Sequence, residues 1–249
     1  MNILLTNDDG YKASGINQLF KTLCTEHKVF LIAPKENCSG MSAAISLRKE
    51  IKVEEISDNI FSVSGTPADC SYLGLLSVIP EPIDMIVSGI NLGANLGEDI
   101  FYSGTVGAAI AGRRLNYVPV AFSVAAYNPK NLKYIAEQSL MITNQVSNLP
   151  SDQNLLVNVN FPDLPSSKIK GVRITSLGKR GVPDTPDLIR REDSAKFYSF
   201  GPSGALLPDQ VRTDIQAIEQ NYISISILDY NLGADLVRWD FYKEVFNCE

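Results

Sequence analysis

Met1-Asn-Ile-Leu-Leu-Thr-Asn-Asp-Asp-Gly10 is the stretch from which the fold follows. Ile3, Leu4 and Leu5 run together with no polar alternation, the pattern of a strand buried on both faces of a parallel sheet. Asn7, Asp8, Asp9 and Gly10 then end that strand in a polar turn at its carboxyl edge, where open α/β sheets bind ligands. Adjacent carboxylates repel each other, and a hard divalent cation relieves the repulsion while leaving room for water and a phosphate oxygen. The plainer reading is a solvated Asp-Asp-Gly turn, and the turn alone does not decide between the two.

Working outward, Ile16, Leu19, Phe20 and Leu23 fall on one face of a helix running to about His27. Val29 to Ala33 reads as a second buried strand stopped by Pro34, so the unit is a βαβ crossover. Extended segments are expected at 51–56 and 60–63. Thr66 then caps a helix with Pro67 at its first position and Asp69 near the dipole, and Cys70, Leu73 and Leu76 are expected to face inward. Strands are expected at 83–88, 119–124 and 155–159, with a small-residue helix to about Leu115 and another carrying Leu132, Ile135, Ala136, Ile142 and Val146. Beyond Pro165 the texture changes, and 177–212 reads as long hairpins or an arm. Residues 223–228 restore strand character, and 236–246 reads as a closing helix. The expected fold is a doubly wound, mostly parallel α/β sheet in a single domain.

Four polar loops (7–10, 36–42, 89–99 and 102–107) are thereby brought to one edge of the sheet. Asp8 and Asp9 supply hard oxygen ligands there, and Ser39 and Asn91 can add neutral ones. Ser103, Gly104 and Thr105 open the small-residue helix, so their amides suit an anion. Taken singly, Ser103 or Thr105 reads first as an N-cap, and Asn91 and Asn95 read equally as turn residues.

Composition bounds the alternatives. The 249 residues carry a net charge of −6, which argues against a stable nucleic-acid complex and against an anionic membrane surface. Cys24, Cys38, Cys70 and Cys248 are scattered, with no zinc spacing and no disulfide framework. No signal peptide or membrane span is read, so the cytoplasm is the expected compartment. The single histidine, His27, is placed away from the acidic turn, so no Ser-His or Cys-His pair forms. A Walker lysine is missing, and Gly89, Gly93 and Gly97 do not match the dinucleotide fingerprint.

Five ordered motifs carry a resemblance: Asn7-Asp-Asp-Gly10, Asn37-Cys-Ser-Gly40, Gly65-Thr-Pro-Ala-Asp-Cys70, Ser88-Gly-Ile-Asn-Leu-Gly-Ala-Asn-Leu-Gly97 and Tyr102-Ser-Gly-Thr-Val-Gly-Ala-Ala109. With them the chain resembles the SurE family of stationary-phase survival proteins over nearly its whole length. Thr213-Asp214 and 222–227 look like that family's last core strand. The resemblance implies a metal-dependent nucleoside monophosphate phosphatase using one divalent cation, Mg2+ or Mn2+. It places the metal ligands on Asp8, Asp9, Ser39 and Asn91, and the phosphate-side residues on Asn95, Ser103, Gly104 and Thr105. It further implies a Rossmann-like core of about 1–165 plus 213–228 with a protruding hairpin or C-terminal arm at about 177–212, and a homodimer or homotetramer through a swapped C-terminal arm. In 177–212 the match is looser and no histidine is present, which bears on assembly and on fine substrate preference.

The expected reaction is metal-activated attack of water on a nucleoside 5'-monophosphate, with Asp9 or Asp8 as general base; 3'-nucleotides and short polyphosphate are further candidates. Two rivals stand beside it: a phosphatase that forms an aspartyl-phosphate on Asp8 or Asp9, and a non-catalytic nucleotide or receiver-like sensor.

Overall fold

Ile3, Leu4 and Leu5 have no exposed surface, as an unalternated apolar strand requires. The computed structural model describes residues 1–150, 154–200, 204, 207 and 211–230. In chain order these form β1 (Asn2–Thr6), α1 (Ser14–Leu23), β2 (Lys28–Pro34), β3 (Val53–Ser57), β4 (Ile60–Val63), α2 (Pro67–Leu73), β5 (Met85–Leu92), α3 (Gly104–Ile110) and β6 (Val120–Val124). There follow α4 (Leu132–Val146), β7 (Leu155–Phe161), β8 (Val172–Thr175), β9 (Asp187–Glu192), β10 (Ala195–Ser199), α5 (Asp214–Glu219) and β11 (Ile223–Asp229). The expected closing helix at 236–246 lies outside the described residues.

The main sheet has the order β3-β4-β2-β1-β5-β6-β7-β11-β8. From β4 through β7 every pairing is parallel, and the antiparallel pairs are β3 with β4 and β7 with β11. This is a Rossmann-like α/β sheet. Helices α1 and α4 bury Ile16, Leu19, Leu23, Ile135, Ala136, Ile142 and Val146 on one face. On the other, α2 and α3 contribute Cys70, Val106 and Ala109. The chain leaves β1 toward β2 and later returns on the other side through β5. The switch point therefore lies between the carboxyl ends of β1 and β5, the crevice where such sheets bind ligands.

Several boundaries differ from the sequence reading, each for a physical reason. α1 ends at Leu23, and the turn to His27 closes with the His27 N–H donating to the Leu23 carbonyl. α3 stops at Ile110 rather than Leu115, passing into turns around Gly112. β5 does not end at Ser88 but runs on to Leu92, with its register against β6 shifting between Ser88 and Asn91. A Cβ at Gly89 would meet the Phe122 carbonyl oxygen at 2.3 Å, so this glycine permits close strand packing and does not mark a loop. Leu76, expected inward, is 78% exposed. After α2 the helix widens into a π-helical turn (Gly74–Val78), which rotates Leu76 outward.

Thr213 and Asp214 are not strand residues: Thr213 caps α5, accepting from the Gln216 N–H, and β11 begins only at Ile223. β8 had no counterpart in the sequence reading, because Val172 and Ile174 are largely exposed and give no core pattern. Within the expected arm, β9 and β10 pair antiparallel as a separate two-stranded ribbon in which every residue is exposed.

Candidate active site

The four polar loops meet at the carboxyl edge of β1 and β5, and hydrogen bonds stitch them together. The Cys38 N–H donates to the Asp8 carbonyl at 2.7 Å. The Leu92 N–H donates to Asp9 Oδ2 at 2.9 Å, and the Ser42 N–H to the Tyr102 carbonyl at 3.1 Å. Gly10 takes a positive φ of 101°, which lets its turn close on Asn7; its N–H donates to Asn7 Oδ1 at 3.2 Å. The wall at 41–48 is anchored by α2, whose capping Thr66 and Asp69 also hold the Ala44 carbonyl and the Ser46 N–H.

Asp8 is buried, and Thr105 Oγ1 donates to its Oδ1 at 2.5 Å. Gly104 is required beside it, since a Cβ there would sit 2.8 Å from Asp8 Cβ and 2.9 Å from Oδ2. Burial pushes the Asp8 carboxyl up to about 6; the Thr105 hydroxyl opposes that rise and the charge of Asp9 adds to it. Asp9 is half-buried and is also raised by burial, against the Leu92 N–H bond. The charge acting on Asp8 is thus another carboxylate, which is the situation a cation relieves.

A cleft of about 230 Å³ opens at Asp8, lined also by Ser39, Asn91, Asn95, Asp99 and Ser103 among others, and Asp9 is tied to its wall through the Leu92 N–H. Asn91 Nδ2 donates to the Gly93 carbonyl at 2.8 Å, which fixes the amide and frees its Oδ1 to act as an acceptor. Ser39 is exposed, its N–H donating to Asn37 Oδ1 at 2.9 Å. Ser103 is the N-cap of α3: its Oγ accepts from the Val106 N–H at 3.1 Å, and its own N–H donates to Ile100. Thr105 faces Asp8 rather than open solvent. Two carboxylates, a serine hydroxyl and an asparagine carbonyl on this edge are oxygen donors of the kind a hard cation takes. No group of three or more His, Cys, Asp or Glu side chains suited to a metal occurs among the described residues, so any cation here relies on the neutral donors.

Asn95 is the most constrained of the expected residues. Its Nδ2 donates to Ser123 Oγ at 2.7 Å and to Thr105 Oγ1 at 3.4 Å. Its N–H donates to Asn160 Oδ1, and its carbonyl accepts from Asn158 and Asn160 at 2.9 and 2.8 Å. The sequence reading did not include Ser123, Asn158 or Asn160. The signal was present: in Leu155-Leu-Val-Asn-Val-Asn-Phe161 two amides alternate inside a fully apolar strand, where polar groups demand partners. Asp214 was missed as a site support. Buried, it accepts from the Gly97, Gly178 and Ile215 N–H groups at 2.7–2.9 Å and ties the 95–99 segment to the root of the arm. Asp99 pairs with Arg180 across 2.9 Å at the cleft rim.

Cys38 carries no nucleophile's signature. Burial first, then the charges of Asp8, Asp69 and Glu36, pushes its thiol upward and keeps it protonated. His27 lies at the amino end of β2, across the sheet from Asp8 and Asp9.

Residues 3–184 match the family model described as "Survival protein SurE". The chain belongs to the SurE family. It is 39% identical to a "5'-nucleotidase SurE" of Vesicomyosocius okutanii, covering 93% of this chain and 92% of that one. It is 40% identical to a "5'/3'-nucleotidase SurE" of Wigglesworthia glossinidia brevipalpis, covering 98% and 100%. The crystal structure of the SurE protein from Aquifex aeolicus superposes with a TM-score of 0.84 at 33% identity, over 99% of this chain and 100% of that one. The SurE membership carries the fold across both faces of the sheet and past β8, well beyond the loops that suggested it.

Proposed function

We infer that this protein is a 5'-nucleotidase, a phosphomonoesterase that hydrolyses nucleoside monophosphates to nucleoside and phosphate. The nucleotidase family implies a divalent metal. Asp8, Asp9, Ser39 and Asn91 would hold one cation, and an all-oxygen set of this kind suits Mg2+ or Mn2+. Such a cation supplies positive charge to a phosphoryl oxygen and makes a nearby water more acidic.

The chain's own groups do the rest. Asp9, the more accessible carboxylate, orients the attacking water and takes its proton, while Asp8 is held in place by Thr105. The Ser103 hydroxyl and the chain at Gly104 and Thr105 stabilise the charge on the equatorial phosphoryl oxygens, and Asn95, whose N–H groups donate to Ser123, Thr105 and Asn160, positions Thr105 beside them. No phosphoenzyme is needed. The observation that carries this reading is the adjacent Asp8–Asp9 pair at the switch point, one carboxylate buried and one half-buried, with no ion-pair partner for either among the described residues and with bonds to three other loops. A panel of nucleoside 5'- and 3'-monophosphates and a short polyphosphate, run with each metal, tests it. Phosphate release from at least one nucleotide is expected, and none from any would contradict the reading.

The active form is a homodimer or homotetramer. Support comes from the β9–β10 ribbon and the residue that follows it: Ile189, Tyr198 and Phe200 are 61%, 57% and 87% exposed and need cover. Light scattering on the full chain checks this: a monomeric mass at micromolar concentration contradicts it. No helix among the described residues is long and apolar enough to cross a membrane. The site of action we assign is the cytoplasm, which fractionation of cells would test.

A further inference from the structure

Two tyrosines stand on the rim of the cleft and take no part in the chemistry above. Tyr102 is 72% exposed and Tyr127 is 81% exposed, yet both line the cavity that holds Asp8, Ser39 and Asn91. They come from different elements: Tyr102 directly precedes Ser103, and Tyr127 lies in the loop between β6 and α4. Gly93 locates the Tyr127 ring, because a Cβ there would lie 3.2 Å from its Cε1. The ring therefore rests along one edge on the backbone beside Asn91, while the rest of it faces solvent.

The cleft is thus graded. Its floor is built of carboxylates, amides and two serine hydroxyls, and its rim presents aromatic surface. Among the described residues lining it there is no lysine or arginine to select a second charge. A ligand that fits both halves has a phosphate at one end and a flat apolar body at the other. Aromatic rings accept any nucleobase, since every base has a π-face.

We propose that Tyr102 and Tyr127 form a nucleobase subsite, on which the base stacks while the phosphate lies over Asp8 and Asp9. This rests on the nucleotidase reading of the acidic pair. It makes the enzyme selective for nucleotides over sugar phosphates, and tolerant of which base is attached.

The test compares adenosine 5'-monophosphate with ribose 5-phosphate, which has the same phosphate and sugar but no base. For Tyr127→Leu and Tyr102→Leu, the ratio of kcat/KM between the two substrates should fall about tenfold (about 1.4 kcal/mol). KM for the nucleotide should carry most of the change. Tyr127→Phe should keep the wild-type ratio, because the ring and not the hydroxyl is needed. Calorimetric binding of the same two compounds should show the same loss. A ratio unchanged in both leucine variants overturns the subsite. A changed mass by light scattering with an unchanged ratio overturns it too, and assigns the rings to a subunit contact. If the wild type releases phosphate from neither compound, yet the leucine variants still weaken nucleotide binding selectively, the nucleotidase reading fails and the subsite stands.

Discussion

The hydroxyl of Thr105 donates to Oδ1 of Asp8 across 2.5 Å, joining residues 97 positions apart in the chain. The same hydroxyl oxygen accepts from Asn95, whose amide is held in turn by Ser123 on β6. A hydrogen-bonded line thus runs from β6 to the carboxylate at the end of β1, and sets the direction in which Asp8 points. Thr105→Val keeps the shape and removes the hydroxyl. It should lower cation affinity or turnover by about 10- to 100-fold, the usual cost of losing an outer partner of a metal ligand. Thr105→Ser should restore most of it. Metal titration alongside turnover checks this, and a valine variant that matches wild type would refute the positioning role.

Asp8 also sets a pH dependence in chelator. Its carboxyl rises from 3.8 to about 6 on folding, so the native state binds the proton more tightly than the unfolded chain. Stability should therefore fall as pH rises between those two values, and stay low above them. Asp8→Asn removes that penalty, and at pH 7 in chelator should be the more stable protein by roughly 2–3 kcal/mol. Thermal unfolding at pH 4 and pH 7 checks the sign: wild type and variant should converge at the acid end.

Gly104→Ala separates fold from site. As the first residue of α3 it would gain helix propensity of up to about 1 kcal/mol, set against overlap with Asp8 costing roughly 1–3 kcal/mol. Circular dichroism should show an intact fold with a modestly changed melting point, while turnover drops by more than about tenfold because Asp8 must move. A fully active alanine variant would mean that the tight contact is not needed.

Much of this was legible in the sequence, and the limits have physical causes. Unalternated apolar runs mark buried parallel strands, so β1, β2 and β6 stood out, and with them the edge that carries Asp8, Asp9, Ser39 and Asn91. The capping box at Thr66 and Asp69 was readable because capping is local. The end of β5 was not: glycine marks both a turn and a close strand contact, and only Phe122, 33 residues later, distinguishes the two at Gly89. Leu76 was misplaced because a π-helical turn leaves no periodic signature. Asn158 and Asn160 announce themselves as amides alternating within an apolar strand, but their partner Asn95, like the partners of Ser123 and Asp214, lies far along the chain where spacing cannot reveal it.

Asp214 offers a stability test remote from the chemistry. Its carboxylate accepts from three backbone N–H groups and is buried. Asp214→Ala strands those donors and should cost about 2–4 kcal/mol. Hydrogen exchange at Gly97 and Gly178 should accelerate along with the loss. Unchanged protection at both amides would show that the carboxylate is not what ties the 95–99 segment to the arm.

Catalysis should need no histidine. His27 sits at the amino end of β2, and burial lowers its pKa from 6.5. His27→Gln should leave the pH–rate curve and turnover essentially unchanged. A loss of more than about tenfold, near 1.4 kcal/mol of barrier, would place the residue where the fold does not.

The central claim is that the Asp8–Asp9 pair holds the divalent cation on which hydrolysis depends, and phosphate release from adenosine 5'-monophosphate measures it most directly. Turnover should vanish in excess chelator and return with Mg2+ or Mn2+. Asp9→Asn should remain folded and lose at least about 100-fold in rate under the restoring condition, near 2.7 kcal/mol. Undiminished release in chelator, or an Asp9→Asn protein as fast as wild type, would contradict the account.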